Sequence, residues 1–559
     1  MIISLGILSL LQLTLVPGLI LVKVFKIHGF WENLIAAIGL SQLFNYLFVV
    51  IATLLKIYTQ TTVLVLFGIE AILLLVFYYS TLRWNLAKII NPGGITAFFD
   101  EYNAKITVKV EWKRKVIKLF YYLALVVAVL CLLKYFFLYI TQPTQVFTRW
   151  DAVVSWDNWA TQWYHGVFPL HTEHYPQLWT TNLSIPYQFI GTIEVKYFSK
   201  YFANLIEFFI VFIVFILGVK RRSVGYFLGV FFTSWLMYVF GSQGSGYADS
   251  PVAFWGLLAI SCLLFADGRE DDDKLILLGA FFVSGAALTK QAGLWLVLTY
   301  PILVAMLKSK TTKISSAIVI QTFLIMLIMI APWYVFKEIQ IRTGIETSEV
   351  DRVTSLVLDR SDFSEIINSA GSLFINTLKN NYFSKSFTFV ILLILLAFSY
   401  KDKIWGWISS LIIIPFSIVW IFFFSYESRN LDLIIPLLGI ALGVGLQKVL
   451  ELDVDRIKVF FHKRIPLTIT HFISKFVKRL FHLLLSTKIW ILLLFIPLIF
   501  ILPKWASDNR LITNSLIKQR LIGDPPVNQL LYDYKEEYGL NGKIVTSYPY
   551  LGFLPELDQ

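Results

Sequence analysis

The stretch Tyr201–Arg222, "YFANLIEFFIVFIVFILGVKRR", decides the fold class. It is an apolar run about as long as the 20 residues that a helix needs to cross a bilayer. It ends in the basic turn Lys220–Arg222. Similar runs recur along the chain, whereas a transmembrane β-barrel would show alternating segments of about ten residues. The pattern predicts an all-α polytopic membrane protein.

Composition supports the same class. Of the 559 residues, 57% are hydrophobic and only 15% are charged, whereas a soluble domain carries about 25% charged residues. The net charge of +12 is expected in a membrane protein whose Lys and Arg collect in cytoplasmic loops, so it does not indicate nucleic-acid binding. Cys131 and Cys262 both fall in apolar runs, and we expect no disulfide between them.

Apolar periodicity predicts about fourteen membrane-spanning helices. Their expected ranges are 3–22, 33–55, 62–80, 116–140, 201–219, 223–240, 251–267, 274–289, 292–307, 314–332, 387–400, 404–424, 431–449 and 488–503. The first run has no basic residues before it, so we interpret it as a retained span with its N-terminus outside rather than a cleaved signal peptide.

Basic loops orient these spans. Counting the spans places five basic loops on the same side of the membrane, and the positive-inside rule makes that side the cytoplasm. These loops are 83–118, 220–222, 308–313, 401–403 and 456–488. The acidic loop 267–274 falls there too, but acidic residues weigh little in the rule. The predicted outside segments are 141–200, 241–250, the turn near Lys290, 337–385, 425–430 and the tail from 503.

Four regions follow from this layout. They are an N-terminal three-span segment with a basic cytoplasmic loop (1–115), a transmembrane core (116–450), a basic amphipathic cytoplasmic segment with the last span (451–503), and a small extracytoplasmic tail (504–559). The basic amphipathic stretch is expected to lie on the inner membrane surface.

The most unusual outside stretch is Thr148–Gly166, "TRWDAVVSWDNWATQWYHG", which carries Asp151 and Asp157 beside a span. At about 100° per residue, Trp156, Trp159, Ala160 and Trp163 share one helical face, and Asp157 lies on the other. This predicts an interfacial helix whose polar face lines a cavity or water. An ordinary aromatic belt with solvated carboxylates is the alternative.

Other outside turns carry complementary groups. "GYADSP" holds Tyr247 and Asp249, "TKQAG" holds Lys290, "SYESRN" holds Arg429, and "HTEHYP" holds Glu173, His174 and Tyr175. Each cation has an alternative role as a snorkelling end-cap. The positive-inside rule makes basic residues unexpected on the outer side, so the presence of both cations there indicates an anionic ligand.

The order of these motifs resembles the GT-C superfamily of polytopic glycosyltransferases, which includes protein O-mannosyltransferases and lipid A aminoarabinose transferases. The matching pieces run over about residues 116–450 and are short: Trp150-Asp151-Ala152, Trp156, Tyr175-Pro176, Tyr247–Pro251, Thr289–Gly293, Pro332-Trp333 and Ser425–Arg429. The paired acid that the family places after its first catalytic Asp is replaced here by Ala152. Three spans also precede the one that matches the family's first.

The resemblance implies a GT-C-like bundle with outside-facing catalytic loops. It also implies a sugar donor on a polyprenyl phosphate and inverting transfer to a protein, lipid or glycan acceptor at the outer face of the membrane. We expect a bacterial inner membrane, and an archaeal membrane fits the same physics. Asp151 is then the expected base, Asp249 a second carboxylate that either orients the acceptor or joins a metal site, and Asp157 a reserve base. Lys290 and Arg429 would bind the leaving phosphate, with Tyr247 and Tyr175 as substrate contacts. Glu173 and His174 could bind a divalent ion or the acceptor, or be a polar loop only.

Two other function classes stay open. A transporter or flippase for an anionic lipid or glycan suits many spans, although transporters place ionisable residues near mid-span, where Glu70 and Glu207 are the main exceptions here. A polymerase or ligase that joins glycans from a lipid carrier shares the lipid phosphate.

Overall fold

The computed structural model describes residues 1–89, 111–141, 147, 149, 151–172, 174–193, 195–240, 246–266, 272–308, 316–344, 385–424 and 427–451. Within these ranges the regular structure is entirely helical. The chain divides into two compact units, and the candidate site lies wholly in the first, which holds Met1–Ile106, Tyr121–Lys448 and Gly552–Gln559. The second holds Thr107–Phe120 and Val449–Leu551. The predicted last span and extracytoplasmic tail lie outside the described residues.

Seventeen α-helices are described. The N-terminal ones are α1 (Ile2–Thr14), α2 (Val16–Phe25), α3 (Phe30–Leu54) and α4 (Gln60–Ile89). The central ones are α5 (Glu111–Thr141), α6 (Asn158–Tyr164), α7 (Leu178–Ile190), α8 (Tyr197–Arg221), α9 (Val224–Phe240), α10 (Asp249–Ala266) and α11 (Asp272–Thr289). The last are α12 (Leu294–Lys308), α13 (Ser316–Arg342), α14 (Lys385–Ser399), α15 (Lys403–Ile408), α16 (Ile414–Val419) and α17 (Ile435–Leu450).

Shorter helical turns join some of these helices. Those with π geometry are Ala152–Asp157, Ser409–Ile413 and Trp420–Phe424, and those with 3₁₀ geometry are Gln291–Gly293 and Ser428–Ile434. Three of the five, Ala152–Asp157, Gln291–Gly293 and Ser428–Ile434, border the candidate site. Departures from regular α-helix are frequent at functional sites.

Membrane-spanning helices dominate the described part of the chain. Nine of its segments are long and apolar enough to cross a bilayer, and three shorter apolar helices accompany them. All of the predicted spans that lie among the described residues coincide with helical segments. The prediction of a multi-pass integral membrane protein is therefore confirmed. Cys131 and Cys262 are both free, as expected.

Contacts at the ends of the spans agree with the predicted relative sidedness. At the end assigned to the cytoplasm, Lys220 pairs with Glu32 at 3.1 Å and Ser223 donates a hydrogen bond to Gln447 at 2.6 Å. At the opposite end, Tyr58 and Ser184 share a hydrogen bond of 2.9 Å. Loops that span counting placed on one side thus contact one another.

Two elements differ from the sequence-based expectation. Helix α13 runs through Pro332 to Arg342, so the outside loop begins later than residue 337. A proline inside a membrane helix is tolerated when neighbouring groups satisfy the backbone it frees. Helix α7 lies within the predicted outside loop 141–200, and every one of its residues is buried. Hydropathy misses it because polar residues, including Thr180, Asn182 and Gln188, fill much of its length.

Helix α10 is the centre of the first unit. Every residue of this helix is buried, and it packs against α8, α11 and the 3₁₀ turn Ser428–Ile434. Its first residue is Asp249. Because the helix is buried along its whole length, it holds this carboxylate at a fixed position beside the turns that carry Lys290 and Arg429.

Candidate functional site

Two acid–cation pairs form the centre of the candidate site. Lys290 pairs with Asp249, and Arg429 pairs with Asp151 at 2.6 Å. The four residues come from four segments that are far apart in the sequence. The structure thus brings together the carboxylates and cations that the sequence singled out on the predicted outer face.

The Asp249–Lys290 pair is the buried half of the site. The Asp249 and Lys290 side chains are 4% and 14% exposed. The Asp249 carboxylate also lies at the N-terminus of α10, where the helix dipole favours negative charge. The Lys290 ammonium donates a second hydrogen bond to Asn430 at 3.2 Å. Burial alone lowers the pKa of Lys290, but the Asp249 carboxylate outweighs it, and the net shift is upward.

The turn that presents Lys290 depends on a close backbone approach. Lys290 is extended, with φ −155° and ψ 149°, and its carbonyl accepts a hydrogen bond from the Gly293 amide at 2.9 Å. A Cβ placed on Gly293 would lie 2.2 Å from the carbonyl carbon of Ala286. Only glycine lets this turn press so closely onto α11, so Gly293 fixes the position of Lys290.

Arg429 is the more accessible cation. Its guanidinium bonds both Asp151 and Glu427, and it stacks over the Tyr247 ring with 4.2 Å between the guanidinium carbon and the ring centroid. A guanidinium has five N–H donors, so these two ion pairs leave donors for a further anion. Burial raises the pKa of Tyr247, and the Arg429 charge opposes that shift.

The two pairs form one cluster. Asn430, which accepts from Lys290, is the neighbour of Arg429 in the chain, and Arg429 is within electrostatic range of Asp249. Asp151 is 35% exposed in its side chain, against 4% for Asp249. Asp151 and Glu427, whose side chain is 41% exposed, are therefore the carboxylates of the cluster that an incoming molecule can reach.

Sequence reasoning missed two members of this cluster, Glu427 and Asn430. Both lie in the "SYESRN" turn that was singled out for Arg429. Their polar side chains beside a predicted site cation were the available signal.

Asp157 lies outside the cluster. It is 1% exposed, its carboxylate accepts a hydrogen bond from Tyr187, and it pairs with Lys196 at 2.5 Å. Burial and the neighbouring Asp157 charge raise the pKa of Tyr187 well above its ordinary value. The expectation that Asp157 faces a cavity or water is wrong, since this carboxylate ties its turn to α7 and to the start of α8.

The tryptophan face also has a clear placement. The side chains predicted to share a face, Trp156, Trp159 and Trp163, are at most 4% exposed, so they pack inside the protein rather than forming a lipid-facing belt. Tyr175 packs against Trp156 with ring centroids 5.0 Å apart and interacts electrostatically with Lys290. Tyr175 therefore borders the cluster.

The remaining predicted residues are less informative. His174 adopts a left-handed backbone with φ 66°, in a turn closed by a hydrogen bond from the Tyr175 amide to the Thr172 carbonyl. Glu173 lies outside the described residues. Among the side chains that the structure describes, no group of three or more His, Cys, Asp or Glu is arranged to hold a metal ion.

Comparisons with known proteins add no relative: no protein-family model, curated protein or solved structure matches the chain.

Proposed function

We propose that this protein is a membrane glycosyltransferase that moves a sugar from a polyprenyl-phosphate carrier to an acceptor hydroxyl at the outer face of the membrane. The observation that carries the proposal is the cluster of two acid–cation pairs, Asp151–Arg429 and Asp249–Lys290. Its members come from four separated segments at span ends. A lipid-linked phosphate is confined to this depth, because its tail stays in the bilayer.

The positions of the two cations in the cluster, rather than its net charge, suit a reaction that releases a phosphate. Asp151, Asp249 and Glu427 supply three negative charges, and Lys290 and Arg429 supply two positive ones. Each cation is already held by carboxylates, so it needs no reorganisation when negative charge develops nearby. Arg429 offers planar, paired donors to a phosphate, and Lys290 offers a point charge.

The assigned step is an inverting displacement at the anomeric carbon. The acceptor oxygen attacks and forms the new glycosidic bond, while its proton passes to the Asp151 carboxylate as general base. The bond between the anomeric carbon and the phosphate oxygen breaks, and the electron pair leaves with the phosphate. Arg429 and Lys290 stabilise that leaving group. Asp249 holds Lys290 in place from the first turn of α10.

The exposures leave Asp151 and Glu427 as candidate bases beside Arg429, and the proposal takes Asp151 because the family resemblance assigns that role to it. Asp249 is almost closed to solvent and committed to Lys290, and Asp157 is committed to Tyr187 and Lys196. Asp151 alone among the three combines partial exposure with a position beside Arg429.

The test uses membranes that contain matched amounts of wild-type protein, Asp151→Asn or the control Glu338→Gln. Glu338 is an exposed carboxylate at the predicted outer end, and it pairs with Arg342 rather than with a residue of the cluster. Labelled polyprenyl-phosphate sugars from a host lipid extract are added, and loss of sugar from the lipid is followed. Loss of a general base costs about 10²–10⁴ in rate, so only Asp151→Asn should fall by that factor.

Two other outcomes would change the assignment. Equal sugar loss with wild type and Asp151→Asn would keep the enzyme class and remove Asp151 as base. Bound lipid without sugar loss in any membrane would contradict the transferase and favour a transporter.

A further inference from the structure

Three of the glutamates that the structure describes are buried on membrane-spanning helices of the first unit, and they differ in their partners. Glu32 pairs with Lys220 at 3.1 Å. Glu207 accepts a hydrogen bond from Ser250 at 3.2 Å and is within electrostatic range of Lys200. Glu70 is 4% exposed and lies near the middle of the span Gln60–Tyr78. Of the three, only Glu70 faces no cation among the described side chains.

The side chain that faces Glu70 is Gln12 of α1. Gln12 belongs to a rigid amide pair with Asn45 of α3. The Asn45 side-chain amide donates a hydrogen bond to the backbone carbonyl of Gln12, and the Gln12 side-chain amide donates one to Asn45 Oδ1, each at 3.0 Å. The backbone carbonyl of Gln12 can only accept, so the Asn45 side chain must turn its NH₂ group toward it and its Oδ1 toward Gln12. The Gln12 side chain must then turn its own NH₂ group toward Asn45 Oδ1. Both amide side chains are at most 1% exposed.

This arrangement leaves a specific shortage of donors. Within the described part of the chain, Gln12 Oε1 receives no hydrogen bond. The Gln12 amide is near enough to interact with the Glu70 carboxyl, but neither Glu70 oxygen receives a hydrogen bond of normal geometry from a described group. An ionised Glu70 could accept the second N–H of Gln12, but Gln12 Oε1 would still lack a donor. A protonated Glu70 can accept that N–H and also donate its O–H to Gln12 Oε1, as carboxylic acids and primary amides do when they pair.

The titratable groups of the surrounding helices engage other partners. Helix α1 contains none. Apart from Glu70, the titratable groups whose side chains are described on α2, α3, α4 and α7 are Lys23 over the Tyr78 ring, Glu32 with Lys220, Tyr46 with Tyr334, Tyr78 with the Leu19 carbonyl, and Tyr187 with Asp157. An isolated carboxylate inside a membrane is costly and tends to become neutral instead.

We propose that Glu70, Gln12 and Asn45 form a proton-binding site inside the membrane, in which Glu70 is held as the neutral acid and gives up its proton as pH rises. The ligand is a proton rather than a metal ion, because the site offers the oxygens of two side chains, whereas Ca²⁺ or Mg²⁺ takes about six or more. The site is separate from the cluster around Asp151, so it stands without the proposed transferase activity.

The first test is labelling of the full-length protein in lipid vesicles with a hydrophobic carbodiimide. This reagent adds to a protonated carboxyl and rearranges to a stable N-acylurea, whereas a carboxylate does not react. Peptide mapping then compares Glu70 with the paired carboxylates Glu207 and Glu32. We expect Glu70 to be labelled at least about tenfold more than either at about pH 7, with labelling that falls about tenfold per pH unit above its midpoint. Replacing K⁺ by Na⁺ should not protect it.

The second test compares unfolding temperatures, so it remains informative if the carbodiimide does not reach Glu70. The amide of Glu70→Gln mimics the neutral acid, so this variant should unfold at the wild-type temperature at about pH 7 and become the more stable of the two at about pH 9. The proposal is overturned by protection with Na⁺, which would identify a cation site. It is also overturned if Glu70→Gln is destabilised at neutral pH, which would show an ionised, partnered carboxylate.

Discussion

The buried pair between Lys196 and Asp157 gives the sharpest stability prediction. Asp157 is 1% exposed, and its carboxylate is held by Tyr187 and, at 2.5 Å, by Lys196. Replacing Lys196 by Met leaves the Asp157 charge buried with one neutral donor. Removing one partner of a buried pair costs about 3–5 kcal/mol, because the remaining charge is uncompensated. Replacing both residues, Lys196→Met with Asp157→Asn, removes that charge and should recover part of the loss.

The matched control is Arg342→Met. Arg342 pairs with Glu338 at 2.7 Å, but the two side chains are 76% and 54% exposed, and such a pair contributes about 0.3–0.5 kcal/mol. The free energy of unfolding would be measured by denaturant titration of the purified proteins in mixed micelles. The reasoning fails if Lys196→Met costs no more than Arg342→Met, or if the double variant is as unstable as Lys196→Met alone.

Three further predictions concern the candidate site. Arg429→Lys keeps the charge but cannot bridge Asp151 and Glu427 while lying over Tyr247. Sugar transfer should therefore fall about 10²–10³-fold. A turnover rate within about threefold of wild type, which is less than one factor of ten, would contradict this. Asp249 raises the pKa of Lys290 in the folded protein. The stabilisation that depends on the Lys290 charge is therefore fully present below the ordinary lysine pKa of about 10.4, and it is lost only as pH rises through the higher pKa of the folded state. The destabilisation by Lys290→Met should therefore be equal at about pH 7 and about pH 9, and a smaller effect at the higher pH would count against it. Gly293→Ala places a Cβ 2.2 Å from the Ala286 carbonyl carbon and should cost about 1–3 kcal/mol of stability; Gly68→Ala, which meets no atom within 4 Å, is the control, and equal unfolding midpoints would refute the close-approach argument.

The membrane-spanning helices were predictable because hydropathy is a local property. An apolar run such as Tyr201–Val219 must form a helix in a bilayer, since every backbone amide and carbonyl has to be satisfied within its own segment. The ends of such runs are less certain. Pro332 was a reasonable place to end a helix from sequence, yet α13 continues to Arg342.

The candidate site was predictable in part. Lys290 and Arg429 stood out because outside cations run against the positive-inside bias. Asp249, with Tyr247 in the same motif, stood out because its turn fell on the same predicted side. Their pairing was a different matter. Which carboxylate meets which cation depends on the packing of α10 against α11 and the 3₁₀ turn Ser428–Ile434, and such long-range packing has no signature in a single sequence.

The sequence by itself determined the class of protein, the positions of the spans and the residues available for chemistry, because these follow from composition and local periodicity. Only the tertiary structure decided how the acids are used. Asp151 and Asp157 lie in one short stretch, but one is partly exposed beside Arg429 and the other is closed off by Tyr187 and Lys196. Glu70 and Glu207 look alike as charges in apolar runs, but among the side chains that the structure describes only Glu207 has a cation nearby. Burial and partners set the charge and the accessibility of a carboxylate, and both are properties of the folded chain.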